Sequence, residues 1–378
     1  MTKNELIGRM GGFMRGICHP SDDIDTIYDT GIRWIRWDVP YPYDAAGNET
    51  EAFAAYRARC ERFAARGIRT VAISPYPRAF LANGIDVRTP DGLKAAGEIC
   101  RRMAEALRGS VGCWQVTNEM YIVGFRAPLS EAESVDFLIA SMKGIRAGDP
   151  DALVGHNNHI PEWKAICDRI EAETGGSDYA GVDMYDGTWS DGGPDTYGPK
   201  LAKIAGQSGL PVILMEFGFA SRGGNLAPGE VDDYLRSFGY PDPSKVREQP
   251  LEFAERVLDK LSPPLAAQLR RSVPADQPGV VDGSFSHLMK KWGSKPGIPH
   301  DEAGQAQFYT ELLPKLLTHP DVAGAVLYCW RDSPKCWNCG QDDCPCETAW
   351  GLVRCDDTIK PAREAVKAIF TGFREPVI

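Results

Sequence analysis

Two glutamates each sit in the last positions of an apolar run. One is Glu119 in Trp114-Gln115-Val116-Thr117-Asn118-Glu119-Met120, the other Glu216 in Ile213-Leu214-Met215-Glu216-Phe217-Gly218. A carboxylate at the mouth of a buried strand is costly to desolvate unless it has a partner or a function. Two of them suggest cleavage of a glycosidic bond by a paired acid and nucleophile. A second group carries different chemistry. Cys336, Cys339, Cys344 and Cys346 follow the pattern C-x2-C-x4-C-x-C and suggest a structural zinc site of four thiolates, with two local disulfides or free thiols as the alternatives. Such a closed site holds no reactive water, so its role would be to stiffen a loop, and catalysis by the glutamates would need no cofactor. Cys329 and Cys355 are spare ligands if one of the four is not used.

The glutamates need a scaffold that brings distant positions together. Short β-branched or aromatic runs alternate eight times with longer amphipathic stretches. Strands are predicted at 11–17, 32–38, 68–74, 111–118, 152–157, 180–185, 211–217 and 322–330. Helices are predicted at 21–30 (with Ser21 as N-cap), 50–66, 90–108, 130–146, 161–173, 196–207, 303–317 and 360–370. Gly31, Gly67, Gly109 and Gly209 stand where a left-handed residue would end a helix before the next strand. The alternation implies parallel strands with right-handed crossovers, and eight repeats fit a closed (β/α)8 TIM barrel of the α/β class. A doubly wound open sheet is the alternative, but no Gly-x-Gly-x-x-Gly follows the first strand and no GxxxxGK[ST] occurs.

One segment breaks the rhythm. About eighty residues, 221–302, separate the seventh strand from its helix; they are rich in Gly and Pro, with a helical patch near 251–271. Long connections are commonly binding loops, and a strand-to-helix connection lies on the catalytic face of a barrel. The segment is expected to be a lid-like insertion in a single catalytic domain spanning 1–378, with an oligomer contact as the other reading; a homo-oligomer is compatible with the sequence. The cysteine loop, 336–346, follows the eighth strand and borders the same face.

Bulk properties narrow the partners. The chain has 378 residues, 43% apolar, with net charge −10. That charge disfavours a nucleic-acid phosphate backbone as partner. The N-terminus does not read as a signal peptide, and no run of 18 apolar residues suggests a membrane span, so a cytoplasmic protein is expected.

Reading off the C-terminal ends of the strands places Arg36, Asp38, Asn118, Glu119, His156, Asn157, Tyr185, Glu216 and Trp330 around one mouth. Carboxylates there supply acid, base and nucleophile; Asn, His and Arg bond hydroxyl groups; an aromatic plane stacks on a sugar ring. In this arrangement the chain resembles the clan A glycoside hydrolases. The resemblance rests on Asn118-Glu119, Met215-Glu216-Phe217-Gly218, Ile35-Arg36-Trp37-Asp38, Gly181-Val182-Asp183-Met184-Tyr185, Leu327-Tyr328-Cys329-Trp330, and the closing Trp350-Gly351-Leu352-Val353 with Lys360-Pro361-Ala362. It covers the barrel apart from 221–302 and the cysteine loop.

The resemblance implies a retaining β-glycosidase with Glu119 as general acid/base and Glu216 as nucleophile, their carboxyl groups about 5–5.5 Å apart. It implies Arg36 and Tyr185 as donors to Glu216, Asn118 on the sugar 2-hydroxyl and Trp330 as the floor of the site. The sequence departs from cellulase-like members, which carry His-x-Tyr on strand six and a histidine after strand three; here the positions hold Asp183 and Ser74-Pro75-Tyr76, so His156 or His19 would take over a hydroxyl contact. A carbohydrate is the expected substrate, in a short oligosaccharide or small glycoside. A transglycosidase or a silent carbohydrate-binding barrel on the same scaffold are the alternatives. Asn118 and Glu119 are adjacent, so both can serve one site only if the strand ends or bulges there.

Overall fold

The computed structural model describes residues 1–242, 244–248, 250–258, 261–272, 281–293 and 297–374. Eight parallel strands alternate with helices: β1 (Met14–Cys18), β2 (Trp34–Asp38), β3 (Arg69–Ile73), β4 (Val111–Gln115), β5 (Leu153–Gly155), β6 (Ala180–Met184), β7 (Val212–Phe217) and, after the short β8 (Gly224–Asn225) and β9 (Lys291–Trp292), β10 (Val322–Leu327). The sheet order is β5-β4-β3-β2-β1-β10-β7-β6. Each strand therefore lies beside its neighbours in the alternation, whereas a doubly wound sheet would reverse at a switch point. The two ends of the sheet meet at a single bridge between His156 and Ala180, where the Gly181 N–H donates to His156 O at 3.1 Å. The result is a nearly closed (β/α)8 barrel.

The strand ends matter most for the site. β4 stops at Gln115, three residues short of the predicted end, because Thr117 (φ 56°) and Glu119 (φ 44°) take left-handed conformations that no ladder accommodates. β10 stops at Leu327, also three residues short of its predicted end. At the helix after β1, Ile24–Asp29, the cap is Asp23, whose carboxylate accepts the Thr26 N–H at 3.1 Å, in place of Ser21.

The interior explains which end of the barrel is open. An N-terminal helix, Lys3–Met10, has no counterpart in the sequence reading, although Thr2 and Glu5 form a capping box at its start. Its Leu6, Ile7 and Met10 pack in one cluster with Met14, Trp34, Val71, Cys113 and Ile213, inward-facing residues of the strands. The N-terminal end of the barrel is thus filled with apolar side chains, and the polar residues collect at the other end. Outside the strands, two further apolar clusters join barrel to helices. Helices Pro90–Ala106 and Glu131–Gly148 approach closely, since a Cβ on Gly144 would lie 2.1 Å from the Gly97 carbonyl oxygen.

The long connection after β7 is helical: Glu230–Ser237, Ser244–Glu248, Pro250–Leu258, Pro263–Ser272 and Val281–Met289. It has an apolar cluster of its own, including Leu235, Tyr240, Val246, Phe253, Val257 and Phe285. β8 and β9 pair in parallel near its two ends, and the buried Trp292 donates its indole N–H to Arg222 O at 2.8 Å. Among the described residues, no helix is long and apolar enough to cross a membrane.

Candidate active site

At the open end the strand termini surround a cavity of about 1080 Å³. Arg36, Asp38, Asn118, Glu119, Tyr185 and Glu216 all line it. Each stands in the last three residues of a strand or shortly beyond its end, where the packed interior gives way to the cavity. The left-handed turns at Thr117 and Glu119 allow the adjacent Asn118 and Glu119 to share the cavity. The chain gains this by leaving the strand, not by bulging it.

Arg36 organises the centre. Its guanidinium is buried and makes four contacts: to Glu216 Oε1 at 2.6 Å, Asn118 Oδ1 at 2.6 Å, Gln115 Oε1 at 2.8 Å and Cys18 Sγ at 3.3 Å. Burial is the largest single influence and opposes its charge, but its neighbours, Glu216 first among them, together outweigh it and push its pKa up. The second oxygen of Glu216 accepts the Tyr185 hydroxyl at 2.5 Å. Both Glu216 oxygens are thereby held by donors, which suits an ionised carboxylate.

Asn118 is fixed as firmly. Its Oδ1 accepts from Arg36, from Gln115 Nε2 at 3.0 Å and from Asn157 Nδ2 at 2.6 Å. Three donors on one oxygen set the amide orientation, so Nδ2 faces Glu119 Oε2, 3.4 Å away.

Glu119 is in a different environment. Its N–H donates to Asn157 Oδ1 at 3.0 Å, and its Oε1 accepts the Tyr121 hydroxyl at 2.8 Å. Desolvation and, next, the charge of Glu216 push its pKa up to about 8. One glutamate is therefore a protonated acid at neutral pH, while the other has both oxygens engaged by donors.

Three site residues had escaped the sequence reading as participants. Asp183 Oδ2 accepts Asn157 Nδ2 at 2.6 Å, while Oδ1 is buried without a protein partner. Desolvation, then Glu216 and Glu119, raise its pKa well above its ordinary value, and it forms part of the cavity wall. The available signal was its position two before Tyr185 on one strand, which puts both on one face. Glu347 also lines the cavity, accepts the Tyr328 hydroxyl at 3.0 Å, and is raised to about 7 by burial. Gln115 links Arg36 to Asn118 from the end of β4.

Two expected residues are elsewhere. His156 is fully buried but does not line the cavity: its ring stacks on His159 at 4.4 Å, with Nε2 3.4 Å from Glu171 on the helix Lys164–Thr174. Alternation along the chain sends Asn157 inward and His156 outward. Trp330 packs with Ile17, Ile35, Phe217 and Leu352 between strands and helices. Trp350 lines the cavity in its stead, in edge contact with Tyr185 at 5.1 Å. His19, the other candidate for a hydroxyl contact, lines the cavity against Tyr328.

Further aromatic walls come from the loops: Tyr76 stacked near Phe125, Tyr121, Trp189 and Trp337. None of the described residues of 221–302 lines the cavity. The insertion instead backs the cysteine loop, whose Trp337, Asn338 and Glu347 face the cavity. On the far side of that loop, His287 of the insertion, Cys336, Cys339 and Cys344 place their ligand atoms within 4.8 Å of one another, all buried. Cys346, counted as the fourth ligand in the sequence, is outside that group, and His287 takes its place.

No protein-family model and no curated protein sequence matches the chain. Solved structures match in fold. A family 39 glycoside hydrolase from the gut symbiont Bacteroides cellulosilyticus WH2 superposes with a TM-score of 0.57 at 14% identity, over 94% of this chain and 63% of that one. The Ignisphaera aggregans GH53 catalytic domain gives 0.55 at 15% identity, over 97% and 94%. A Bacteroides uniformis β-glucuronidase gives 0.54 at 16% identity, over 95% and 35%. The chain thus spans less than two thirds of the first and about a third of the last. These neighbours are glycoside hydrolases, and at such identities what is shared is the barrel fold.

Proposed function

We propose that this chain is a retaining β-glycoside hydrolase acting on short oligosaccharides or small glycosides by double displacement. The observation that carries the reading is the opposite treatment of two carboxyl groups in one cavity. Arg36 and Tyr185 hold both oxygens of Glu216, at 2.6 and 2.5 Å, whereas desolvation keeps Glu119 protonated with a pKa of about 8. Environments that drive two carboxyl groups apart assign one as acid and the other as nucleophile.

In the first step Glu216 attacks the anomeric carbon while Glu119 gives its proton to the departing glycosidic oxygen, leaving a glycosyl ester on Glu216. Esterification removes the Glu216 charge that helped to raise the Glu119 pKa. Glu119, now ionised, is thereby better able to stay so and to take a proton from water, which attacks the ester and releases the sugar with its original configuration. The Asn118 amide, oriented by its three donors, is placed for a hydroxyl next to the reacting carbon. Trp350, in place of Trp330, offers the aromatic face. The cavity volume and its aromatic loop walls support a small glycoside in preference to a bare polymer chain.

The test is a panel of nitrophenyl β-glycosides with wild type and Glu216→Ala, the product anomer being followed by NMR. The reading expects β product first and loss of turnover in the variant. Absence of turnover across the panel would leave a silent carbohydrate-binding barrel, and activity that survives Glu216→Ala would overturn Glu216 as the nucleophile.

A further inference from the structure

We propose that His287, Cys336, Cys339 and Cys344 bind one zinc ion, and that this ion fastens the insertion to the back of the loop that walls the sugar cavity. The four residues come from two distant segments. His287 lies on the helix Val281–Met289, and the three cysteines lie on the loop after β10. The His287 Nδ1 is 3.3 Å from Cys344 Sγ and 3.7 Å from Cys336 Sγ, and all four ligand atoms fall within 4.8 Å of one another. Tetrahedral zinc with its usual bond lengths to sulfur and nitrogen sets neighbouring ligand atoms about 3.6–3.8 Å apart, so the cluster has the dimensions of a loaded site. Three thiolates and one imidazole are a donor set that zinc takes in closed, four-coordinate sites, with no position left for water.

The consequence for the cavity follows from the chain path. Trp337 and Asn338 are the two residues between the ligands Cys336 and Cys339, and both line the cavity. Glu347, three residues past Cys344, does so too. Fixing the three sulfurs fixes where these side chains stand. His287 extends the anchor to the insertion, close to Trp189 on the cavity rim at a ring separation of 6.2 Å. The metal is thus structural for the fold and positioning for substrate, while the insertion supplies the fourth ligand and none of its described residues lines the cavity.

The experiment is metal analysis and cobalt substitution on the full chain, with three variants. Wild type and Cys346→Ser are expected to hold one zinc per chain; His287→Ala is expected to lose it, and His287→Cys to recover it. The thiolate-to-cobalt charge-transfer band should report three thiolates in wild type and Cys346→Ser, and four in His287→Cys. Substoichiometric zinc, bound iron, disulfides in place of thiols, or zinc kept by His287→Ala but lost by Cys346→Ser would each overturn the site. The link to the cavity rests on the glycosidase reading and has its own readout. KM for an aryl glycoside should rise severalfold in His287→Ala with kcat changing less, and an unmoved KM in a zinc-free variant would overturn that link. The metal count and cobalt spectrum need no turnover, so failure of the site and failure of the activity are told apart.

Discussion

Glu119 sets the expected pH behaviour. Its pKa of about 8 makes it a proton donor below that value, so kcat/KM should fall as pH rises through about 8. A glycoside whose leaving group needs no protonation, such as a 2,4-dinitrophenyl glycoside, should show a weaker alkaline limb. The same shift bears on stability. The folded pKa lies above the ordinary 4.5, so ionisation is penalised in the folded state and stability is lost as pH rises between about 4.5 and 8. Glu119→Gln should therefore melt higher than wild type at pH 8 and alike at pH 4; a difference independent of pH would contradict this environment. At Glu216, Tyr185→Phe removes a hydrogen bond to a charged group worth about 1.5–3 kcal/mol, so kcat should drop about 10- to 100-fold. Arg36→Met leaves Glu216 without its ion-pair partner and should destabilise the fold by about 3–5 kcal/mol in urea titrations.

At the scale of elements, the site depends on how β5 and β6 meet. Gly181 allows that contact, because a Cβ there would lie 2.5 Å from the His156 carbonyl oxygen and 3.0 Å from the Asn157 Cα. Asn157 in turn holds the Glu119 backbone, Asn118 and Asp183. Gly181→Ala should cost about 1–3 kcal/mol through overpacking and depress kcat by moving Asn157; a variant with wild-type kcat would show that this seam does not position the site. The elements also show what a sequence can reveal. Glu119, Glu216, Arg36 and Tyr185 could be read because each ends an apolar strand, and a strand end is where a side chain passes from core to cavity. Trp330 could not be distinguished from Trp350, because alternation of faces stops where β10 stops. His156 failed for a related reason: after three residues of β5, one position decides between inward and outward, and Asn157 took the inward one. The N-terminal helix carried a capping box, but a single helix before the first strand has no repeat to mark it.

For the molecule as a whole, the eightfold alternation was readable and the long-range pairings were not. His287 stands 49 positions before Cys336 in a segment of different composition, so no local spacing could have nominated it over Cys346.

The most direct measurement of the central claim is covalent trapping. The chain is incubated with the dinitrophenyl 2-deoxy-2-fluoro-β-glycoside of whichever sugar the panel shows it to hydrolyse, and the inactivated protein is mapped by peptide mass spectrometry. The expected result is one glycosyl adduct, on Glu216, formed by wild type and absent from Glu216→Ala. An adduct on another residue, or turnover that releases inverted sugar and leaves no adduct, would contradict it.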